Sequence, residues 1–365
     1  MTKLNVKLSF FSMLLSVCLV LLPGCGAVKD IANPDEHSPP STAENEAVTP
    51  IEPEKPAQPL YTAPLTGMPM EEPVNRRPLA VMVNNAPAAR PQSGLLGADI
   101  VYEVLAEGGV TRLVSIFHSQ ADGAKIGPIR SIRPYMIDIG ESYHGVLVHA
   151  GASNDAYAIL QRQHKDDLDE ITNAGSYFWR DKSRKAPHNL YSNVETLLEG
   201  ADKRGYATED LNVPAYTFRS AEDVVDGEPG ESVEIKFQLE NYKVQYKYDE
   251  AAGLYQRYIN GSPHIDLESE ETLTAANVVV LGADHKVLDD IGRLSVELDL
   301  GGEAVLFQQG KMIRGQWIRR ADDVIRFVKD NVEVPFVPGT TYFNIVPNTP
   351  DFDSHLVIGA AESDL

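Results

Sequence analysis

Ile100 to His118 reads IVYEVLAEGGVTRLVSIFH. Two runs rich in β-branched and aromatic residues, Ile100 to Ala106 and Val110 to His118, flank Glu107-Gly108-Gly109. Such residues favour the pleated strand, and the glycines supply the positive φ of a tight connection. The stretch predicts a hairpin. Alternation along the first strand puts Glu103 with Val101 and Leu105, away from Tyr102, Val104 and Ala106.

Working outward, Pro78 to Asn84 (PLAVMVN) is a short apolar run that ends at Asn84-Asn85, which predicts a buried strand. Pro134 can open a helix through Tyr143. Gly145 to Ala150 (GVLVHA) predicts another buried strand. Ser153 can cap a helix through Gln163, and Ser192 one through Lys203. Strands mixed with helices predict an α+β or mixed-sheet α/β N-terminal domain over residues 65–225. The stretch VVDGEPGE, 224–231, is acidic, carries glycine and proline, and marks a boundary. Beyond it Val233 to Leu239, Tyr242 to Tyr248 and Leu254 to Ile259 read as a meander. Asn277 to Leu281, Leu294 to Leu298, Ala304 to Gln308 and Thr341 to Val346 add further strands. The expected C-terminal domain, 226–350, is smaller and mainly β, with a tail over 351–365.

The chain has 365 residues, 43% hydrophobic and 23% charged, an ordinary globular composition. A collagen-like, fully disordered or multi-span membrane protein is excluded on that basis. With 32 Lys plus Arg against 53 Asp plus Glu, the formal charge is −21. Such a surface repels nucleic acid, so no nucleic-acid partner is expected. The only cysteines are Cys18 and Cys25, which leaves the remaining chain without a disulfide framework or a thiolate metal site. Phosphate-loop, dinucleotide, HExxH, GxSxG and EF-hand signatures are missing, and the nine histidines are scattered. No cofactor and no metal are expected.

The N-terminus reads as an address. Lys3 and Lys7 precede an apolar stretch of 15 residues, Leu8 to Leu22. A transmembrane helix needs about 20 residues, so the stretch fits a secretion signal over 1–24 better. Leu22-Pro23-Gly24-Cys25 resembles a bacterial lipobox, with Pro23 a less usual filler. Cys25 would then carry diacylglycerol and become the new N-terminus, which anchors the protein in the cell membrane on its extracytoplasmic face. The other reading is an uncleaved anchor with an incidental cysteine. From Cys25 to residue 64 the chain is a linker. Residues 26–64 hold eight prolines in 39 positions, with no helical or strand period. A flexible chain of that length spans roughly 35 Å.

Four segments carry candidate chemistry. The loop after the first buried strand offers Asn84, Asn85, Arg90, Gln92 and Ser93, a set suited to sugar hydroxyls, amides or a carboxylate. The bland reading is a turn whose side chains bond their own backbone. Asp99, Glu103 and Glu107 recur every four residues. Glu103 on an apolar strand is either an acid with a raised pKa or the partner of an arginine such as Arg112 across the hairpin. Arg130 and Arg133 flank Ser131 ahead of a helix start, a pattern for phosphate, carboxylate or sulfate, or for intramolecular salt bridges. His149 ends a strand beside a small-residue turn, as a general base or as a core-edge histidine bonded to backbone.

In order, PLAVMVNN, ARPQSGL, ADIVYE, EGGVTR, IGPIRSIR and VHAG resemble the YerB-type lipoproteins, the DUF3048 family. The later NVVVL, GEAVLFQQGKMIRGQW and VPGTTYFNIVP resemble that family's smaller C-terminal domain. The resemblance spans about residues 65–347. It implies a two-domain, surface-exposed lipoprotein with a mixed-sheet α/β N-terminal domain, and carries over no catalytic residues.

The resulting expectation is a non-enzymatic, membrane-anchored envelope protein. Its ligand or partner, a cell-wall polymer or an envelope protein, would sit in a cleft lined by Asn84, Asn85, Arg90, Gln92, Ser93, Arg112, Arg130, Arg133 and His149. The alternative is an envelope hydrolase or transferase acting on cell-wall glycan or a linked polymer, with Glu103 or Glu107 as acid and His149 or Asp99 as base.

Overall fold

The computed structural model describes residues 61–120, 123–210, 212–220 and 222–359. The expected signal peptide, the lipidation site Cys25 and the linker up to residue 60 lie outside the described residues. Ahead of Leu65, Tyr61–Thr62 pairs antiparallel with Pro69–Met70 and Ala63 is fully buried.

The hairpin forms as its sequence predicts. Strand β1 (Leu79–Asn84) lies antiparallel to β3 (Thr111–Phe117), which lies antiparallel to β2 (Ile100–Leu105). Strands β4 (Val146–His149) and β5 (Asp167–Asp169) extend the sheet in parallel beyond β1. Every residue of β1, β2 and β3 is buried, since layers cover both faces. Helices α1 (Pro134–Ser142) and α2 (Asn154–Arg162) cover one face. There Met136, Ile139 and Leu160 join a cluster with Ala80, Met82, Tyr102 and Ile116. Ser153 caps α2, its hydroxyl oxygen accepting from the Ala156 amide.

Helix α3 (Val194–Lys203) belongs to the opposite face, where Val194, Leu197 and Ala201 join Val81, Val83 and Leu113. Its cap is Asn193, whose side chain accepts from Thr196 N at 2.8 Å, not the expected Ser192. The Ser192 hydroxyl is already committed to Tyr177 O at 2.7 Å.

The C-terminal half is mainly β. Strands β6 (Ser232–Lys236), β7 (Lys243–Asp249) and β8 (Leu254–Ile259) form the expected meander. Next come β9 (Asn277–Ala283), β10 (Gly302–Gln308), β11 (Lys311–Ile318), β12 (Arg326–Lys329), β13 (Thr341–Pro347) and β14 (Leu356–Gly359). Leu294–Val296 pairs with His285–Val287 in a separate ribbon. Residues 356–359, within the expected tail, are ordered as β14 along the edge of β6, from Ser232↔Gly359 to Ile235↔Leu356.

The two halves meet in one sheet of 12 strands among the described residues. From Val332–Glu333 at one edge it runs β12, β11, β10, β9, β13, β2, β3, β1, β4, β5, with Glu228–Pro229 added against β11. The join is β13, parallel to both β9 and β2. The meander sheet covers the α3 face, where Val244, Tyr246 and Tyr255 share a cluster with Val101 and Leu105.

Candidate functional site

Glu103 lies mid-strand in β2 on the meander face, as alternation predicts, and is fully buried. Register places it opposite Leu113, while Arg112 lies opposite Val104. Arg112 therefore points through the other face, and the expected Glu103–Arg112 pair is not made. The partner is Arg257 of β8, also fully buried, whose Nη2 donates to Glu103 Oε2.

Around this pair runs a closed ring of side-chain hydrogen bonds. Glu103 Oε1 accepts from the Tyr242 hydroxyl at 2.5 Å, the Thr111 hydroxyl at 2.6 Å and Asn85 Nδ2 at 3.1 Å. Asn85 Oδ1 accepts from Gln92 Nε2 at 2.9 Å. Gln92 Oε1 lies 2.7 Å from His264 Nε2, and Arg257 Nε donates to His264 Nδ1 at 3.0 Å. An arginine can only donate, so His264 Nδ1 is an acceptor and its proton sits on Nε2, directed at Gln92. Arg257 also donates to the Tyr246 hydroxyl and lies over the Tyr246 and Tyr342 rings, 5.2 and 5.5 Å from their centroids.

The ring's electrostatics follow from burial. Burial, then the Arg257 charge, holds the His264 imidazole well below its ordinary pKa and keeps it neutral. Burial, then the Glu103 charge, pushes the Tyr242 phenol up, so it stays a donor. For Arg257 burial acts downward, and the Tyr246 and Glu103 oxygens outweigh it, leaving the guanidinium firmly charged. Each polar group thus answers another, the condition under which a buried ion pair is tolerated.

The ring floors a cavity. Asn85, Thr111, Tyr242 and His264 are both ring members and lining residues of a space of about 690 Å³. Asn241, Asn260 and Ser262 add polar groups to its wall, and Leu239, Ile259 and Pro263 add apolar ones. Arg90 stands at this cavity with its guanidinium 5.1 Å from the Tyr242 ring centroid. Among the described residues its side chain has no hydrogen bond or ion pair, and its Nε is buried without a partner. The loop carrying Arg90 is held by Arg184, which donates to Ala89 O at 2.7 Å and Pro91 O at 2.6 Å. Amides and hydroxyls, an apolar wall and one unanswered positive charge suit an amphipathic ligand with a negative group.

The remaining expected residues do not all line this cavity. Gln92 lies beneath it in the ring, and the Ser93 hydroxyl donates to Glu268 Oε1 at 2.9 Å. Asn84 Nδ2 lies 2.8 Å from His188 Nδ1. Asn84 and Arg112 share the strand parity of Ala80, Met82, Val114 and Ile116 on the helix-covered face, and Arg112 and Arg133 both bond Ser131 there, so the expected single cleft is split in two. Glu107 is chelated by Arg133 through Nε and, at 2.7 Å, through Nη2. Although burial acts upward on Glu107, the Arg133 bonds hold its carboxyl below the usual range. Asp99 accepts from the His118 and Ser119 amides, 2.6 and 2.9 Å from its Oδ2, and so braces the chain leaving β3. His149 is fully buried, 3.0 Å from Gly151 O and with Nε2 3.3 Å from Asp167 without a hydrogen bond. The four residues of the catalytic alternative therefore sit in separate environments, each facing different partners. No group of three His, Cys, Asp or Glu is placed to hold a metal among the described residues.

Arg257, His264, Tyr242 and Thr111 escaped the sequence reading. One signal was present: in LYQRYI, Arg257 shares the inward parity of Tyr255 and Ile259, an arginine on the buried side of an alternating strand.

A model described as the protein of unknown function (DUF3048) N-terminal domain matches residues 65–207, and its C-terminal counterpart matches residues 233–343. The chain is 37% identical over 289 residues to "Putative lipoprotein YerB" of Bacillus subtilis (strain 168), covering 78% of this chain and 86% of the relative. It is also similar to the crystal structure of the YerB protein from Bacillus subtilis, with a TM-score of 0.75 and 36% identity over 82% of this chain and 99% of that one. The chain belongs to the DUF3048 family and carries both its N-terminal and its C-terminal domain.

Proposed function

We propose that this protein is a lipid-anchored envelope protein that binds a polar, negatively charged cell-envelope ligand in the cavity above the Glu103–Arg257 ring. The single observation that carries the reading is Arg90: a guanidinium over the Tyr242 ring with no hydrogen bond or ion pair among the described residues, at a cavity whose floor is already fully bonded. A rigid, satisfied floor can recognise a ligand without rearranging, and the charge supplies the selectivity. Acidic glycan fragments of the cell wall have the required mixture of hydroxyls, amides and a carboxylate or phosphate.

The anchor rests on the leader ending in Cys25 and on the lipoprotein name of the relative. Among the described residues no helix is long and apolar enough to cross a membrane. Lipid on Cys25 would hold the body at the extracytoplasmic face. Mass spectrometry of the membrane-extracted protein should find a diacylglyceryl-modified Cys25 at the N-terminus, lost in Cys25→Ser, and an unmodified Cys25 behind an intact leader would contradict the anchor.

Binding is tested by calorimetry on the full chain with acidic cell-wall fragments. Arg90→Gln should weaken binding about tenfold, the effect of losing a charge-assisted hydrogen bond. Equal affinities would overturn the assignment.

A further inference from the structure

The second group of expected residues forms a site of its own. Strands β1 and β4 are parallel neighbours, and the chain leaves them in opposite directions along the sheet, toward β2 and toward β5. Ligands of open mixed sheets bind at such a divergence, beyond the carboxyl ends of the strands. Here the Ile129–Ser131 segment fills the divergence: the Arg130 amide donates to Met82 O at 2.8 Å, and the Ala150 amide donates to Arg130 O at 3.1 Å.

Three guanidiniums gather there with one carboxylate. Arg133 is neutralised by Glu107, and its Nη1 donates to Ser131 Oγ at 2.9 Å. Arg112 is only 7% exposed, and its side-chain hydrogen bonds all leave from Nη1, the closest to Ser131 O at 2.6 Å. Among the described residues its buried Nε has no partner. Among the described residues the Arg130 side chain makes no hydrogen bond and no ion pair, and its Nε is likewise buried and unanswered. His188 adds a donor. Asn84 Oδ1 accepts from the Ala86 amide, so Asn84 Nδ2 must donate to His188 Nδ1, which leaves the proton on His188 Nε2.

The electrostatics of the cluster follow first from burial and then from the neighbouring arginines. Burial, then the Arg133 charge, lowers Arg112 to about 10. Burial, then Arg133 and Arg180, lowers Arg130. Burial, then Arg130 and Arg184, lowers His188. Such mutual repulsion persists in a chain with a formal charge of −21. Carboxylates are abundant in the chain, yet among the described residues Glu107 alone pairs with these arginines, through Arg133.

We infer that Arg112, Arg130, Ser131 and His188 form an oxyanion site for a phosphate group, separate from the Arg90 cavity. Two guanidiniums with free N–H groups, a hydroxyl and an imidazole N–H give several donors of the kind a tetrahedral phosphate accepts. The group recognised is a phosphate ester or diester; its source is either the free anion or a phosphodiester polymer of the envelope.

The test is calorimetry on the full chain with two probes, inorganic phosphate and poly(glycerol phosphate). The site predicts saturable binding of at least one probe at or below about 1 mM. Arg130→Gln should weaken it about tenfold with the thermal midpoint unchanged, since that side chain has no partner to lose. Arg90→Gln should leave it unchanged. Binding of inorganic phosphate alone identifies a free-anion site, and binding of the polymer alone a polymer site. Failure of both probes, equal binding by Arg130→Gln, or an equal loss in Arg90→Gln would overturn the proposal. The last result would move the anion to the cavity, whereas the first would leave the cavity reading intact.

Discussion

Glu103 and Arg257 are 154 positions apart in sequence and both fully buried. Removing one partner strands the other's charge, so Glu103→Gln or Arg257→Met should each cost about 3–5 kcal/mol. The double variant should cost clearly less than the sum, because no lone charge remains. Urea unfolding of the three variants measures this, and additive losses would contradict the pairing. His118 provides a second test. It is fully buried, neither ring nitrogen is bonded among the described residues, and burial pushes its imidazole down to about 4. An unfolded histidine titrates near 6.5, so between about pH 6.5 and 4 the unfolded state binds more protons. His118 thus leaves stability intact above about pH 6.5 and erodes it as pH falls toward 4, by at most about 1.4 kcal/mol per pH unit. Asp99, whose carboxyl burial pushes up, has the opposite sign and is common to parent and variant. His118→Phe should flatten the acid slope of the unfolding free energy, and an unchanged slope would count against the burial account. At this scale the orientation of Glu103 was legible from strand alternation, but its partner was not. Side-chain pairing across a sheet interface depends on long-range register, which no local pattern encodes. The same limit put Asn84 and Asn85 in one cleft, although neighbouring residues leave a strand toward opposite faces.

At the scale of elements, α3 depends on Asn193 for its first turn, and Asn193→Ala should cost about 1 kcal/mol by denaturant unfolding. The sequence offered Ser192 and Asn193 side by side, both good caps, and only the Tyr177 carbonyl that claims Ser192 decides between them. Helix α1 is seated by a missing side chain. A Cβ on Gly140 would stand 2.4 Å from Leu147 Cδ2 and 2.8 Å from the Ala80 Cβ. Gly140→Ala should therefore destabilise by about 1–3 kcal/mol, as overpacking does, despite alanine's better helix propensity. A stabilised variant would show that α1 does not press on β1 and β4. Most helices and strands were legible because apolar runs, caps and glycine turns are local signals. The ordering of β14 was not, since four residues become a strand only when β6 offers an edge.

For the molecule as a whole, the two family domains share a sheet through β13 and β2. Neither can bury that edge alone, so calorimetry of the full chain should give one cooperative transition for both. Two well-separated transitions would contradict the shared sheet. Sequence patterns marked a boundary near 224–231, yet strand order across it was invisible, because pairing β13 with β2 closes a loop of more than 200 residues. That same closure brings the meander against β2 and creates the cavity from two distant stretches. The most direct test is a crystal structure of the full chain grown with an acidic cell-wall glycan fragment. The account predicts the fragment in the cavity above Asn85, Thr111 and Tyr242, with its carboxylate or phosphate about 3 Å from the Arg90 guanidinium. An empty cavity with the fragment bound elsewhere, or a fragment that does not bind, would contradict it.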